Sequence, residues 1–219
     1  MKVKDIMKKA ASLLGNADGL VDYLNGVSNE EAQRAELLLN CFNFVENELA
    51  LDYFPLIKKE SFVPQGGKIM YSQLSSSAVR ILDVENGAGE KVAFRLFATY
   101  VEVDETAQVS VRYAYSPTPK TMDGQSDYSL AASERLLAFG MAAEYLAALG
   151  LLEEASVWDK KYKEGIQAAL EWEQKREEEM KKLLQAEEKE PEQEKEPEQE
   201  TETKPFATSA GTMPSRWWV

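Results

Sequence analysis

The run from Val109 to Leu152, VSVRYAYSPTPKTMDGQSDYSLAASERLLAFGMAAEYLAALGLL, constrains the chain more than any other stretch. Val109, Val111, Tyr113 and Tyr115 alternate with Ser110, Arg112 and Ala114, the period-two pattern of a strand with one buried face. Pro117 and Pro119 have no amide to give to a ladder, so the sheet ends there. Thr121–Ser126 reads as loop, and Asp127 or Ser129 as the cap of the next helix. In that helix Leu130, Leu136, Leu137, Phe139, Met141, Ala142, Ala143, Tyr145, Leu146 and Leu149 leave little polar face, which predicts burial on several sides. Ala138, Gly140, Ala142, Ala143, Ala147 and Ala148 permit close helix approach. Gly150 fits the left-handed position after a helix end, with Leu151 folding back. A strand and a surrounded helix one turn apart require both a sheet and other helices in one fold.

The flanking sequence supplies them. Val3, Ile6, Met7, Ala10, Leu13 and Leu14 recur at helical spacing before Gly15, with Lys2, Lys4, Lys8 and Lys9 on the outer face. Two readings stand: a helix packed on its own domain, or an arm on a neighbouring subunit, since so short a helix is marginal alone. One helical turn is expected around Leu20–Leu24. Ser28 to Glu31 matches a capping box, and Ala35, Leu38, Leu39, Phe42, Val45 and Leu49 form one stripe that Pro55 ends. From Phe62 to Tyr115 the period is two, with strands at Phe62–Pro64, Lys68–Tyr71, Val79–Val84, Lys91–Val103 and Val109–Tyr115, and a turn at Asn86-Gly87. Consecutive strands with short turns predict an antiparallel meander. After Gly150, Trp158, Tyr162, Ile166 and Ala169 form the stripe of a helix antiparallel to the previous one. Helices, then sheet, then helices predict an α+β fold: a helical bundle with an inserted antiparallel β meander. The expected divisions are N-terminal bundle helices at 1–60, a β region at 61–116 and a helical hairpin at 117–186. Tyr113, Tyr115, Leu136, Phe139, Trp158 and Tyr162 are the expected structural core.

An acidic linker at 187–205 and a docking peptide at 206–219 are expected to follow. PEQEKEPEQETETK has the composition of a disordered segment. The chain carries a net charge of −13, and from Glu187 onward nine Glu face only Lys189, Lys195, Lys204 and Arg216. Such a balance disfavours wrapping phosphates, which needs clustered Lys and Arg. It suits a surface that DNA slides past. Beyond the linker, Phe206, Met213, Pro214, Arg216, Trp217, Trp218 and Val219 are expected to dock on a partner, since exposed aromatics on a solvated tether are an association liability.

Organised chemistry is not visible. With no His there is no imidazole base, no His-based triad and no His metal site, and no phosphate-cradling Gly motif occurs. Asp123-Gly-Gln-Ser-Asp127 lacks the spacing and closing Glu of a calcium loop. The residues therefore name no catalytic, cofactor-binding or metal-binding position. A hydrolase built on a carboxylate pair would need a concave pocket with a raised carboxyl pKa. The one cysteine, Cys41, lies in a helical pattern and reads as a buried structural thiol, and no stretch reads as a signal peptide or a membrane span.

The segment Val111-Arg-Tyr-Ala-Tyr-Ser-Pro-Thr-Pro119, followed by a polar loop, an Ala-rich helix and a helix with Ala155, Trp158 and Tyr162, resembles the head–tail adaptor (connector or neck) proteins of tailed bacteriophages, including the tail tubular adaptors. The resemblance covers roughly Ser28–Leu170 and rests on element order. It implies a virion protein made in the host cytoplasm. It further implies a homo-oligomeric ring, usually of twelve copies, below the portal protein. In that family the bundle and C-terminal segment contact the portal, while the β region faces neighbouring subunits or tail and neck proteins. DNA would pass through without specific binding, and no membrane or cofactor is involved. The acidic linker is an addition to that pattern.

Overall fold

The structure is a computed structural model that describes residues 1–15, 18–128 and 134–187. Its contacts divide the chain into two units, Met1–Glu178 and Glu179–Val219. The acidic linker beyond Glu187, the docking residues from Phe206 to Val219, and the Ser129 cap and Leu130 of the central helix lie outside the described residues.

The fold is α+β. Helices α1 (Val3–Leu13), α2 (Asp18–Asn25) and α3 (Ala32–Glu48) lead through a π-helical turn at Leu49–Tyr53 into six strands. These are β1 (Leu56–Phe62), β2 (Lys68–Met70), β3 (Ala78–Asn86), β4 (Phe94–Leu96), β5 (Tyr100–Val103) and β6 (Val109–Tyr115). Helices α4 (Glu134–Ala148) and α5 (Leu152–Glu187) follow. All of the strand pairings are antiparallel, but their order is not that of a meander. One sheet runs β1-β6-β3 and the other β2-β5-β4. Only β4 and β5 pair as chain neighbours. The reason lies in β6, whose Val109, Val111 and Tyr113 are fully buried. Flanking it with β1 and β3 satisfies the backbone on both of its edges. Strand β1 begins at Leu56, ahead of the expected boundary, because Lys58-Lys59-Glu60 breaks the apolar alternation by which a strand is read.

Two cores result. In the β module, Ile69, Val101 and Val103 of one sheet meet Ile81, Val84, Val109, Val111 and Tyr113 of the other. In the helical module, α1, α2, α3, α4 and the first half of α5 share a core that includes Ile6, Met7, Phe42, Leu137, Met141, Tyr145, Tyr162 and Ile166. Val3, Ile6, Met7, Ala10 and Ala11 of α1 have no exposed surface, so α1 is packed on its own domain and is not an arm. Leu136 is buried as expected. Phe139 packs on the core half-buried. Trp158 does not belong to the core. It sits half-buried on the outside of α5, tilted against Phe139.

The helix signals fare unevenly. Gly150 has φ +79°, its amide donates to Ala147 O at 2.9 Å, and the Leu151 amide donates to Leu146 O at 2.9 Å. This is the double closure that a left-handed glycine permits. The capping box does not form. Ser28 Oγ accepts from the Glu30 amide at 3.2 Å, Glu31 itself occupies the N-cap without a side-chain cap, and its carboxylate turns to Arg34 at 3.3 Å. The Asp127 carboxylate pairs with Lys120 Nζ at 2.9 Å, and the start of the helix it was expected to cap lies outside the described residues.

Candidate functional surfaces

The described part of the connection from β6 to α4, residues 116–128, is tied to two helices. One row of α3 holds it. Asn43 accepts from the Lys120 amide at 2.6 Å and donates to Lys120 O at 3.2 Å. Asn47 Oδ1 accepts from Ser116 Oγ at 2.7 Å. Glu46, 1% exposed, accepts from Ser126 Oγ at 2.7 Å and from the Asp127 amide at 2.8 Å. Positions 43, 46 and 47 share a helix face by spacing, so one side of α3 presents three polar groups to one passing strand of chain. The other side of the segment meets α1. The amides of Val3 and Lys4, which no intrahelical carbonyl can satisfy, donate to Gly124 O and Met122 O at 3.1 Å each. Tyr128 Oη donates to Phe54 O at 2.7 Å. Burial pushes the Glu46 carboxyl up, while its two donors and Lys120 hold it down. Burial raises the Tyr128 phenol as well. The arrangement positions the two modules against each other.

Two further groups of carboxylates are structural in placement. Asp83, 7% exposed, accepts from Arg112 Nε at 2.9 Å across the β3–β6 ladder, and Lys59 pairs with Glu85 on the same outer face. At the α3–α4–α5 contact Tyr162 Oη donates to Glu48 at 3.1 Å. Burial raises Glu48, helped by Asp52 and Asp159, and burial raises Glu144, helped by Glu48 and Asp159. Burial also drives the Tyr162 phenol up, helped by Glu48. Among the described residues no group of His, Cys, Asp or Glu has the arrangement to hold a metal ion.

On the β module, a groove of about 740 Å³ lies between Gly66-Gly67, Ala93–Arg95 and Glu102–Thr106. Glu102, Asp104 and Glu105 outnumber Arg95 along it, and Tyr113 and Tyr115 do not line it. Tyr113 is buried, its hydroxyl near enough to Ser75 and Glu60 to be influenced by both, and burial raises its pKa. Tyr115 is half-buried beneath Lys58 Nζ, 4.7 Å from the ring centroid.

Exposed apolar side chains collect on both modules. The β4–β5 hairpin shows Leu96 at 56% and Phe97 at 43%, the latter stacked on Tyr100 with centroids 4.7 Å apart. The α4–α5 turn shows Leu149 at 49%, Leu151 at 43% and Leu152 at 68%. Contiguous exposed apolar groups of this kind mark contact surfaces more often than scattered ones do. Sequence reasoning missed both. Leu149 reads there as part of the apolar helix, Leu151 as folding back on its end and Leu96 as part of a strand, and only the tertiary structure leaves them uncovered. The polar row Asn43, Glu46 and Asn47 was also missed, although its spacing within an apolar helix was a usable signal.

No protein-family model matches the chain, and no curated protein matches it. No helix among the described residues is long and apolar enough to cross a membrane.

Proposed function

We propose that this chain is a structural virion protein of a tailed bacteriophage, a ring subunit below the portal that joins portal to tail and extends the DNA channel. One observation supports this reading above the others. Two separately cored modules, each with its own contiguous exposed apolar group, are fixed to each other through a clamped connection. A protein that must hold two partners at once in constant geometry needs that organisation. A protein with a single binding face does not. The net charge of −13 fits a conduit that repels phosphates. In this reading the ring is a homo-oligomer, with twelve copies as in the adaptor family. The β hairpin faces a neighbour or tail protein, and Phe206, Met213, Pro214, Arg216, Trp217, Trp218 and Val219 dock on the portal or on a neighbouring subunit.

Mass photometry of the purified protein with and without portal tests it. The expected result is a portal complex whose mass rises by a ring of subunits. A mixture that contains only portal and free chain overturns it.

A second reading keeps the docking peptide and drops the ring: a non-enzymatic binding module that recruits a partner through its C-terminal aromatic peptide. The paired Trp217-Trp218 beyond a Glu-rich run favours it. Deleting residues 206–219 separates the two. Binding through the β hairpin or helical turn survives that deletion, whereas tail-only recruitment is abolished.

A further inference from the structure

On the α4–α5 hairpin two cations lie over two aromatic rings. Phe139 and Trp158 have ring centroids 5.5 Å apart with planes tilted by 34°. Arg135 Cζ stands 5.1 Å from the Phe139 centroid. Lys161 Nζ stands 4.2 Å from the Trp158 ring and 5.9 Å from the Phe139 ring. Helical spacing brings Arg135 onto Phe139 and Lys161 onto Trp158, so the arrangement is written into the two helices. Both rings are half-buried, while Arg135 and Lys161 are exposed.

Lys58, Lys68 and Arg176 each lie over a single ring, whereas here two cations share the Phe139 ring. Elsewhere on the body Lys9 pairs with Glu134, Lys59 with Glu85, Arg112 with Asp83, Lys120 with Asp127 and Lys163 with Asp159. Neither Arg135 nor Lys161 forms an ion pair among the described residues. In a chain of net charge −13, two like charges converge on one ring. A cation over a ring at an exposed site gains only about 0.5–1 kcal/mol and keeps outward N–H donors in water. An acidic ligand would satisfy those donors and relieve the repulsion between the two cations.

We propose that the Arg135–Phe139–Trp158–Lys161 surface docks the acidic, aromatic segment 187–219 of a second copy. That segment supplies nine Glu for the two cations, and Phe206, Trp217 and Trp218 for the open edges of the two rings. A stretch of this length spans roughly 30 Å as a random coil, the scale of a reach between adjacent subunits. The inference rests on the ring reading, because a ring is what places a second copy alongside.

The test uses a fluorescently labelled synthetic peptide of residues 187–219. It is titrated into the full chain carrying Trp217→Ala and Trp218→Ala, so that the chain's own aromatics do not compete, with anisotropy as the readout. Saturable binding is expected. Arg135→Gln together with Lys161→Gln should weaken it about tenfold, the loss of roughly 1.4 kcal/mol. Arg135→Lys with Lys161→Arg should retain it, which shows that the fold is intact and that charge is the cause. No binding, or binding indifferent to the Gln pair, overturns the proposal. So does a single-stranded oligonucleotide that binds the same chain, loses affinity in the Gln pair and displaces the peptide, since the surface would then belong to nucleic acid. The measurement contains no portal, so its failure leaves the portal result standing. A ring absent from portal mixtures leaves the peptide result standing in turn.

Discussion

Gly140 of α4 lies so close to Val45 of α3 that a Cβ on Gly140 would stand 2.8 Å from Val45 Cγ1. The same Cβ would stand 3.0 Å from Tyr162 Cε2 of α5. Three helices therefore meet at one hydrogen atom. The small-residue character of α4 is what allows this, and the strand–turn–helix run carries it in the sequence.

Gly140→Ala is expected to destabilise the protein despite the better helix propensity of Ala. The gain from propensity is about 1 kcal/mol, and overpacking a tight core costs about 1–3 kcal/mol. The short Val45 side chain cannot swing away. Chemical denaturation should show a net loss of up to about 2 kcal/mol. A more stable variant would mean that α3 and α4 do not approach as described.

Glu46→Ala and Glu46→Gln should differ sharply. The Ala variant strands the Ser126 hydroxyl and the Asp127 amide in a buried site, at a cost of about 2–3 kcal/mol. The Gln variant keeps the accepting oxygen and removes a buried charge, so its urea midpoint should stay near that of the parent. Equal losses for both would show that the charge, not the acceptor, ties the connection to α3.

Stability should rise as pH falls from neutral towards 4.5. Burial raises the Glu48 and Glu144 carboxyls above the ordinary value of 4.5, and neighbouring carboxylates raise them further. The folded chain thus binds these protons more tightly than the unfolded chain. Their penalty is full above the raised pKa values and vanishes below 4.5. General charge repulsion acts in the same direction, so Glu144→Gln is the discriminating sample. Its urea midpoint should change less between pH 7.5 and pH 5 than that of the parent. An unchanged pH dependence removes Glu144 from the effect.

Cys41 should be nearly inert in the folded protein. Burial pushes its thiol up to about 11, Glu144 adds to the effect, and only 6% of the residue is exposed. Thiolate is the reacting form. Disulfide-exchange labelling at pH 8 should run at least about a hundredfold slower in the native state than in denaturant. Labelling complete within mixing time would contradict the packing of α3 on α4.

The sequence by itself determined what depends on spacing along the chain. The periods of 3.6 and 2, the prolines after Tyr115, the small residues of α4 and the glycine at 150 each act through neighbours within four residues. The helices, the α+β class and the α4–α5 turn followed from them. Only the tertiary structure decided the rest. β6 chose β1 and β3 over its chain neighbour β5, because pairing energy depends on which backbones meet across fifty residues and no local period records that. Glu31 went to Arg34 instead of closing a capping box. Asn43, Glu46 and Asn47 became a clamp only once segment 116–128 lay beside them. Trp158 read as core from its place on the stripe. It lies on the surface beside Phe139 because the rotation of α5 on α4 turns Tyr162 and Ile166 inward and leaves position 158 at the edge, under Lys161.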